Sequence, residues 1–434
     1  MRRLAAAAAL ALHAAAAPAQ GLKTAGEDRG IALGGFYEFT GAYTHAEPSH
    51  WSRAVNRLQL AARGDLGERA KWIVSGRVDV DPVYYWSNFY LPPVEKDQRF
   101  NAFWRETYLD FSAGDWDLRL GAQNIVWGEV VGLFFADVVS ARDLRDFLLP
   151  GFDVIRKPQW AARAEYTRGD SHLELIWIPV ATYDDIGKPG ADFYPAPLPS
   201  PTSASQAALF LDPVRPTRNL ANSNYGIRLN HLVAGWDLSA FYYRSTSAAP
   251  TFYRVPGGVP GTVFFQPRYD RIWQAGATVS KDFGFSVARA EIVYGGKQNY
   301  ASADPLAPEG VVSRETIDWI VSADFVPFRD SRLNLQAFQR IYLNGGADAV
   351  ALKSGDFGAS VQLSAKVTPV IEPEILWIQT FGGGGSLVRP RVNWLAGRNL
   401  KVAVGVDIFS GDSDGFFGRY NNRDRVYTEV RVSF

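Results

Sequence analysis

The sequence has no cysteine and only one methionine, the first residue. Without cysteine there is no thiol nucleophile, no disulfide framework, no cysteine-based zinc site and no cysteine-linked lipid anchor. An excess of charge of one sign is also lacking: 45 Lys plus Arg balance 45 Asp plus Glu. A chain with no basic surplus has no electrostatic footprint for nucleic acid, so nucleic acid is not expected as a partner. Catalytic and cofactor signatures are missing too. There is no HExxH, no GxSxG and no phosphate-binding glycine loop, and His45, His50, His172 and His231 do not stand at ligand spacing. The adjacency of Ser49 and His50 in sequence says nothing about geometry, and Asp412-Ser-Asp-Gly415 reads as an acidic surface turn rather than a Ca²⁺ loop. No enzyme activity, metal or cofactor is expected.

Long apolar runs are absent beyond the start of the chain, so no helix of ~20 apolar residues can span a bilayer there. The start differs. Arg2-Arg3, an Ala/Leu run to Ala17, and Ala17-Pro18-Ala19 make the pattern of a secretory signal peptide over residues 1–19. An exported chain, 20–434, is expected to follow as one domain.

That chain is rich in aromatics (14%), with 13 Trp and 40 Gly, which suits strands and turns. Its segments alternate with period 2. Trp72, Val74, Val78 and Val80 share one face, and Ser75, Arg77, Asp79 and Asp81 the other. Leu118 and Leu120 oppose Arg119 and Gln123; Leu333 and Leu335 oppose Arg332, Asn334 and Gln336. Only Phe103–Phe111 shows no clean parity.

Connections alternate as well. Short turns, such as Ala113-Gly-Asp115 and Arg168-Gly-Asp170, take turns with longer loops around 46–51, 82–99, 126–156, 181–222, 246–266, 296–312, 344–355, 382–388 and 410–422. That rhythm predicts an all-β fold: a transmembrane antiparallel up-and-down barrel of about 18 strands in the outer membrane, apolar out and polar in. A soluble propeller or sandwich also alternates, but its turns would not segregate by length. Tryptophans flank many strands, as interfacial girdles require: Trp51, Trp104, Trp116, Trp160, Trp236 and Trp394 among them. Outer-membrane lipid is thus one expected partner.

The chain ends on Tyr427-Thr-Glu-Val-Arg-Val-Ser-Phe434. Val426, Thr428, Val430, Val432 and Phe434 alternate with Arg425, Tyr427, Glu429, Arg431 and Ser433, so the last strand is expected to close the ring against the first, 30–44. The terminal aromatic resembles the signal by which outer-membrane proteins address the barrel-assembly machinery, a second expected partner.

Inward faces should carry the selectivity. Candidates on the wall are Arg77, Asp79, Asp81, Arg163, Glu165, Arg289, Glu291, Arg389, Arg391, Glu429 and Arg431. Each belongs either to a solvated wall whose charges neutralise one another or to a filter of charged rings. Segment 126–156 is both apolar (Leu133, Phe134, Phe135, Val138, Val139, Phe147, Leu148, Leu149) and charged. Exposed outside it would be an awkward patch, so it is expected to fold inward and narrow the lumen. Ser140 would cap a short helix over 140–146, placing Glu129, Arg142, Asp143, Arg145, Asp146 and Arg156 near the constriction. The loop 181–222, with Pro189, Pro195, Pro197 and Pro199, reads as an external lid or a surface hairpin.

Gln123-Asn-Ile-Val-Trp-Gly-Glu129, Asp137-Val-Val-Ser-Ala-Arg-Asp-Leu-Arg-Asp-Phe147 and Phe417-Gly-Arg-Tyr-Asn-Asn-Arg-Asp-Arg-Val-Tyr427 resemble a family of poorly characterised Gram-negative outer-membrane barrels. Ser140-Ala141 stands where that family more often has Asn-Pro. The resemblance implies a barrel, and because some members neighbour RND-type exporters it implies a possible inner-membrane exporter as partner. The expected function is a porin-like channel for passive passage of small solutes. The alternative is a barrel for hydrophobic molecules or lipids. A structural or adhesive barrel would instead have a plugged lumen.

Overall fold

The structure, a computed structural model, describes residues 30–130, 132–133, 135–195, 201–257, 262–345, 350 and 357–434. The signal-peptide reading at 1–19, Phe134, Pro197, Pro199 and most of the predicted loop 344–355 lie outside the described residues.

Strands follow one another as β1 Ala32–Thr44, β2 His50–Leu66, β3 Ala70–Val80, β4 Phe100–Ala113, β5 Trp116–Gln123, the two-residue β6 Ala141–Arg142 and β7 Arg156–Lys157, then β8 Gln159–Arg168, β9 Ser171–Val180, β10 Asn224–Val233 and β11 Trp236–Thr246. After a loop hairpin of β12 Thr251–Pro256 and β13 Val263–Arg268 come β14 Arg271–Asp282, β15 Ser286–Ala301, β16 Val311–Phe325, β17 Ser331–Leu343, β18 Gly358–Ala365, β19 Ile371–Thr380, β20 Gly385–Ala396, β21 Leu400–Ser410 and β22 Arg425–Ser433. Leaving aside the two small hairpins, these make one 18-stranded antiparallel sheet. It closes because β1 pairs with β22 from Phe36↔Ser433 to Thr44↔Arg425. Phe434 adds two further bonds, its N–H to Gly35 O (3.0 Å) and its carbonyl from Gly35 N–H (2.9 Å). Lipid offers no partner for a free sheet edge, and this ring has none.

Parity places the side chains as the alternation predicts. Along β3, Val74 and Val78 are exposed while Ser75, Arg77 and Asp79 are buried. Trp116, Trp236 and Trp394 stand exposed at the short-turn end, and Trp51, Trp104 and Trp160 towards the long-loop end. The unreadable stretch in β4 has a physical cause. Val74 pairs with Thr107 but Gly76 with Trp104, so Arg105 and Glu106 together face Ser75. This β-bulge shifts the phase by one residue.

Two of the loops predicted as long are short here, 45–49 and 381–384. Residues 81–99 carry structure inward. They hold α1 Val83–Trp86 and α2 Pro92–Gln98. Their Val83, Tyr84, Tyr90 and Val94 pack with Ala54 of the wall and with Ile186, Ala191 and Tyr194 of the loop between β9 and β10.

Candidate functional site

Residues 124–158 bridge the lumen, and within them 126–156 folds inward as the sequence predicts; each end of the bridge is fixed by a different chemistry. On the β8–β15 side, Trp127 is fully buried, its indole N–H donating to Glu174 Oε1 (3.0 Å). Its ring lies 5.2 Å from Phe241 and 5.7 Å from Tyr243. Gly226 makes this possible: a Cβ there would come within 2.6 Å of the indole. Glu129 accepts from Thr278 Oγ1 (2.7 Å) and Arg228 (3.3 Å). The central latch is Glu291 of β15, which is 3% exposed. Its Oε1 accepts the N–H groups of Glu129 (2.5 Å) and Val130 (2.7 Å), and its Oε2 that of Ala136 (2.9 Å). One wall carboxylate thereby satisfies three backbone donors of an irregular segment, which otherwise would stay unpaired.

The far half of the bridge is held by arginines. Arg77 donates to Val154 O (2.9 Å), and Arg105 to Asp153 O (2.8 Å) and Arg156 O (2.5 Å). Arg431 reaches Asp153 (2.8 Å). Arg425 grips Asp146 with two bonds (2.8 and 3.1 Å) and Asp407 with a third (2.8 Å), while Arg53 adds to Asp146 at 3.3 Å. Between the ends, Phe147 sits in the left-handed region at φ 52°, costly for a bulky residue. Its ring is the hub of an aromatic cluster with Phe416, Phe417, Tyr420 and Phe193, and that packing offsets the backbone strain.

The predicted helix at 140–146 is not formed. Ala141–Arg142 instead pair antiparallel with Arg156–Lys157, and α3, Phe152–Ile155, lies later. The Ser140 hydroxyl, the expected cap, donates to Ile125 O (2.9 Å). The adjoining loop explains the extended backbone: Asp185 N–H donates to Arg142 O, Leu144 N–H to Asp185 O, and Arg142 N–H to Asp184 Oδ1. These bonds to a second segment of the same chain outcompete a helix turn.

Two cavities flank the bridge and share no lining residue. The inner one, about 340 Å³, runs along β17–β22 and β1–β2 towards the short-turn end, where Arg332 and Lys401 lie. The outer one, about 510 Å³, opens among the long loops and is lined by Asp137, Arg142, Asp184, Asp318, Arg340 and neighbours. Asp146, Arg389, Arg391, Glu429 and Arg431 do line the inner cavity, and Arg142 the outer. Arg389 pairs with Asp407 and Arg391 with Glu374, both at 2.7 Å.

The remaining predicted residues serve the bridge or the wall. Asp79 takes Arg57 (3.0 Å) and Arg77 (3.3 Å), and Arg145 forks Asp143. Arg156 binds Asp137, Arg163 binds Glu165 and Glu174, and Arg289 binds Asp324. Asp81 accepts the N–H groups of Ala54 and Val83. Burial pushes its carboxyl up to about 6, against Arg53 and those N–H groups. The sequence reading left out Glu38, Arg53, Arg57 and Arg425 as site residues. All four lie at inward parity, so alternation alone could have found them.

Acid should loosen the bridge. Burial by itself would raise Asp143 and Asp146, but Arg145 beside the first and Arg425 beside the second hold both carboxyls below the usual range. A depressed carboxyl contributes stability above its unfolded value, near 3.9, and loses it as pH falls towards the folded value. Channel recordings should stay constant down to roughly pH 4.5 and grow larger or noisier between about pH 4 and 2.

Among the described residues no three His, Asp or Glu side chains gather as a metal site. Ser171 Oγ lies 3.0 Å from His231 Nδ1, but no carboxylate pairs with that ring among the described residues.

Comparison places the chain among barrels of this kind. Acinetobacter baumannii OccAB3 is 9% identical, with 93% of this chain and 99% of that chain covered and a TM-score of 0.52. Salmonella typhi OmpF, solved in complex with daunomycin, is 8% identical over 93% and 97% of the two chains, with a TM-score of 0.47. A variant of Rh. blastica porin is 12% identical over 93% and 100%, with a TM-score of 0.43. At such identities the likeness is one of fold. No curated protein matches the sequence. Residues 94–352, more than half of the chain, match the profile of a family described as a protein of unknown function, DUF1302. With its closed 18-stranded ring, the chain belongs to the DUF1302 family and has the fold of an outer-membrane porin.

Proposed function

We propose that the protein is a passive outer-membrane channel for small polar solutes, with no catalytic activity, narrowed by the segment 126–156. The observation that carries this reading is the pair of cavities, one on each side of the bridge, both lined by charged and polar side chains. Solutes would pass from the long-loop end to the short-turn end beside the bridge, and charged walls favour polar cargo. Most apolar side chains of the bridge are spent on packing: Val130, Phe147 and Leu149 are buried against Ile320, Ile378, Leu387 and Phe409.

A second reading has its own support. Leu148, Leu149, Phe152, Leu376, Ile378 and Leu387 form an apolar strip along the inner cavity. In that reading the cargo is hydrophobic or lipid-like and is exchanged with an inner-membrane exporter.

Swelling of vesicles containing the purified full-length protein separates the two. Passive entry of small sugars and amino acids at rates that fall with solute size supports the polar channel. Absence of swelling and of conductance steps, with uptake of a fluorescent hydrophobic probe, supports the second reading and sinks the first.

A further inference from the structure

Outside the lumen, at the long-loop end of β8–β10, lies a third cavity of about 440 Å³ whose lining includes Lys157, Trp160, Val180, Tyr183, Arg215 and Arg218. Trp160 and Val180 are cross-strand partners. Both are exposed on the outer face of the barrel, at 49% and 40%, so the floor of this cavity faces lipid. Its roof is the turn 217–222, which is tied by its own side chains. Asn219 Oδ1 accepts from Asn222 N–H (3.0 Å), and Asn222 Nδ2 donates to Thr217 O (2.9 Å).

The charge around this cavity is unbalanced. Lys157 pairs with Asp185 at 2.6 Å. Arg215 stands over the Tyr183 ring at 5.8 Å, and Arg218 lines the same cavity. Arg271 donates only to neutral oxygens, Asn222 O, Ser223 O and Asn224 Oδ1. Arg244 is close enough to repel it. Arg244 lies between Tyr225 and Trp273 across its two ladders, at the parity that faces lipid. Among the described residues no carboxylate pairs with Arg215, Arg218, Arg244 or Arg271. Inside the barrel, by contrast, Arg57, Arg77, Arg389, Arg391 and Arg425 each meet a carboxylate.

We propose that this rim binds a phosphorylated, acylated lipid of the outer leaflet, its phosphate among Arg215, Arg218, Arg244 and Arg271 and its chains over Trp160 and Val180. Guanidinium forks match phosphate oxygens in geometry and charge. A phosphate at this height would relieve the mutual repulsion of the arginines. The apolar floor is what selects a lipid over a free anion, because inorganic phosphate would use the roof and leave the floor bare. The site is independent of what passes through the lumen.

The test uses the full-length barrel in detergent, with native mass spectrometry counting bound lipid. Bisphosphorylated lipid A should bind, and fully dephosphorylated lipid A should bind at least about tenfold more weakly. Arg215→Glu with Arg218→Glu, both in an exposed loop, should weaken the bisphosphorylated form by at least about tenfold while leaving conductance unchanged. Arg244→Gln, which leaves that loop untouched, should give a smaller loss in the same direction. Arg329→Glu, on the exposed turn at the opposite end, should change nothing. Equal binding of the two lipid forms overturns the proposal, as does indifference to both rim variants. Displacement of the lipid by inorganic phosphate at comparable concentration would show a site for the free anion, and the lipid reading would fall.

Discussion

Replacing Glu291 by alanine should open the channel without unfolding the barrel. The substitution removes the acceptor for the N–H groups of Glu129, Val130 and Ala136. Each buried donor left unpaired costs about 1–3 kcal/mol, so the docking of Glu129, Val130 and Ala136 on the wall loses on the order of 3 kcal/mol or more. Trp127 and the arginine-held half keep their anchors, so the stretch around Glu129, Val130 and Ala136 loosens between them rather than leaving the lumen. Single-channel recordings in a planar bilayer should show conductance raised several-fold over the unsubstituted protein, with bursts of intermediate levels. Glu291→Gln keeps one carbonyl acceptor and should fall between the two. The ladders of β14–β16 are backbone bonds and do not depend on this side chain, so the difference in gel migration between the unheated and the heated barrel should persist. Unaltered conductance in Glu291→Ala would mean that the bridge is not what limits the pore.

The second large effect is expected at Arg425, which is 3% exposed and shared between Asp146 of the bridge and Asp407 of the wall. Arg425→Ala strands two buried carboxylates, and loss of one partner from a buried ion pair costs about 3–5 kcal/mol. Arg389 remains on Asp407 and Arg53 on Asp146, so the lower part of that range, about 3 kcal/mol, is expected. The measurement is the temperature at which the folded gel band converts to the unfolded one. Arg425→Lys should recover little, because an ammonium cannot fork both oxygens of Asp146 while holding Asp407. Arg425→Met combined with Asp146→Asn should recover part of the loss, since one stranded charge goes with its partner. A single substitution that leaves the unfolding temperature unchanged would show that Arg53 and Arg389 suffice.

These two positions differ in how they could have been found. Glu291 lies at inward parity in an alternating strand, so its direction was legible. Its task was not, because the three N–H groups it serves lie some 155 to 162 residues away in the chain. Arg425 was placed on the inward face of the last strand, but neither of its carboxylate partners could be inferred, Asp146 lying 279 residues distant.

The alternation itself fixed more. A side-chain period of two, a lipid exterior and polar interior, and short turns alternating with longer loops leave a closed antiparallel ring as the architecture, and about eighteen strands as the count. Each of those signals is local, carried by residues that touch in sequence or across one ladder, so it survives reading without coordinates. The inward fold of 126–156 was also legible, from the cost of exposing its apolar side chains.

Three features belonged to tertiary structure alone. The β4 bulge broke parity because two residues oppose one on β3, and only the pairing reveals that. Residues 140–146 have capping and charge suited to a helix, yet the Asp184 carboxylate and the Asp185 N–H and carbonyl draw 141–143 into extended backbone. The arginines of the outer rim look in sequence like any others, scattered from 215 to 271. Their common lack of a carboxylate appears only when β9, β10, β11 and β14 stand side by side. Charge balance is a property of distances in space, and the balance of the whole chain, which is zero, conceals an imbalance on one arc of its surface.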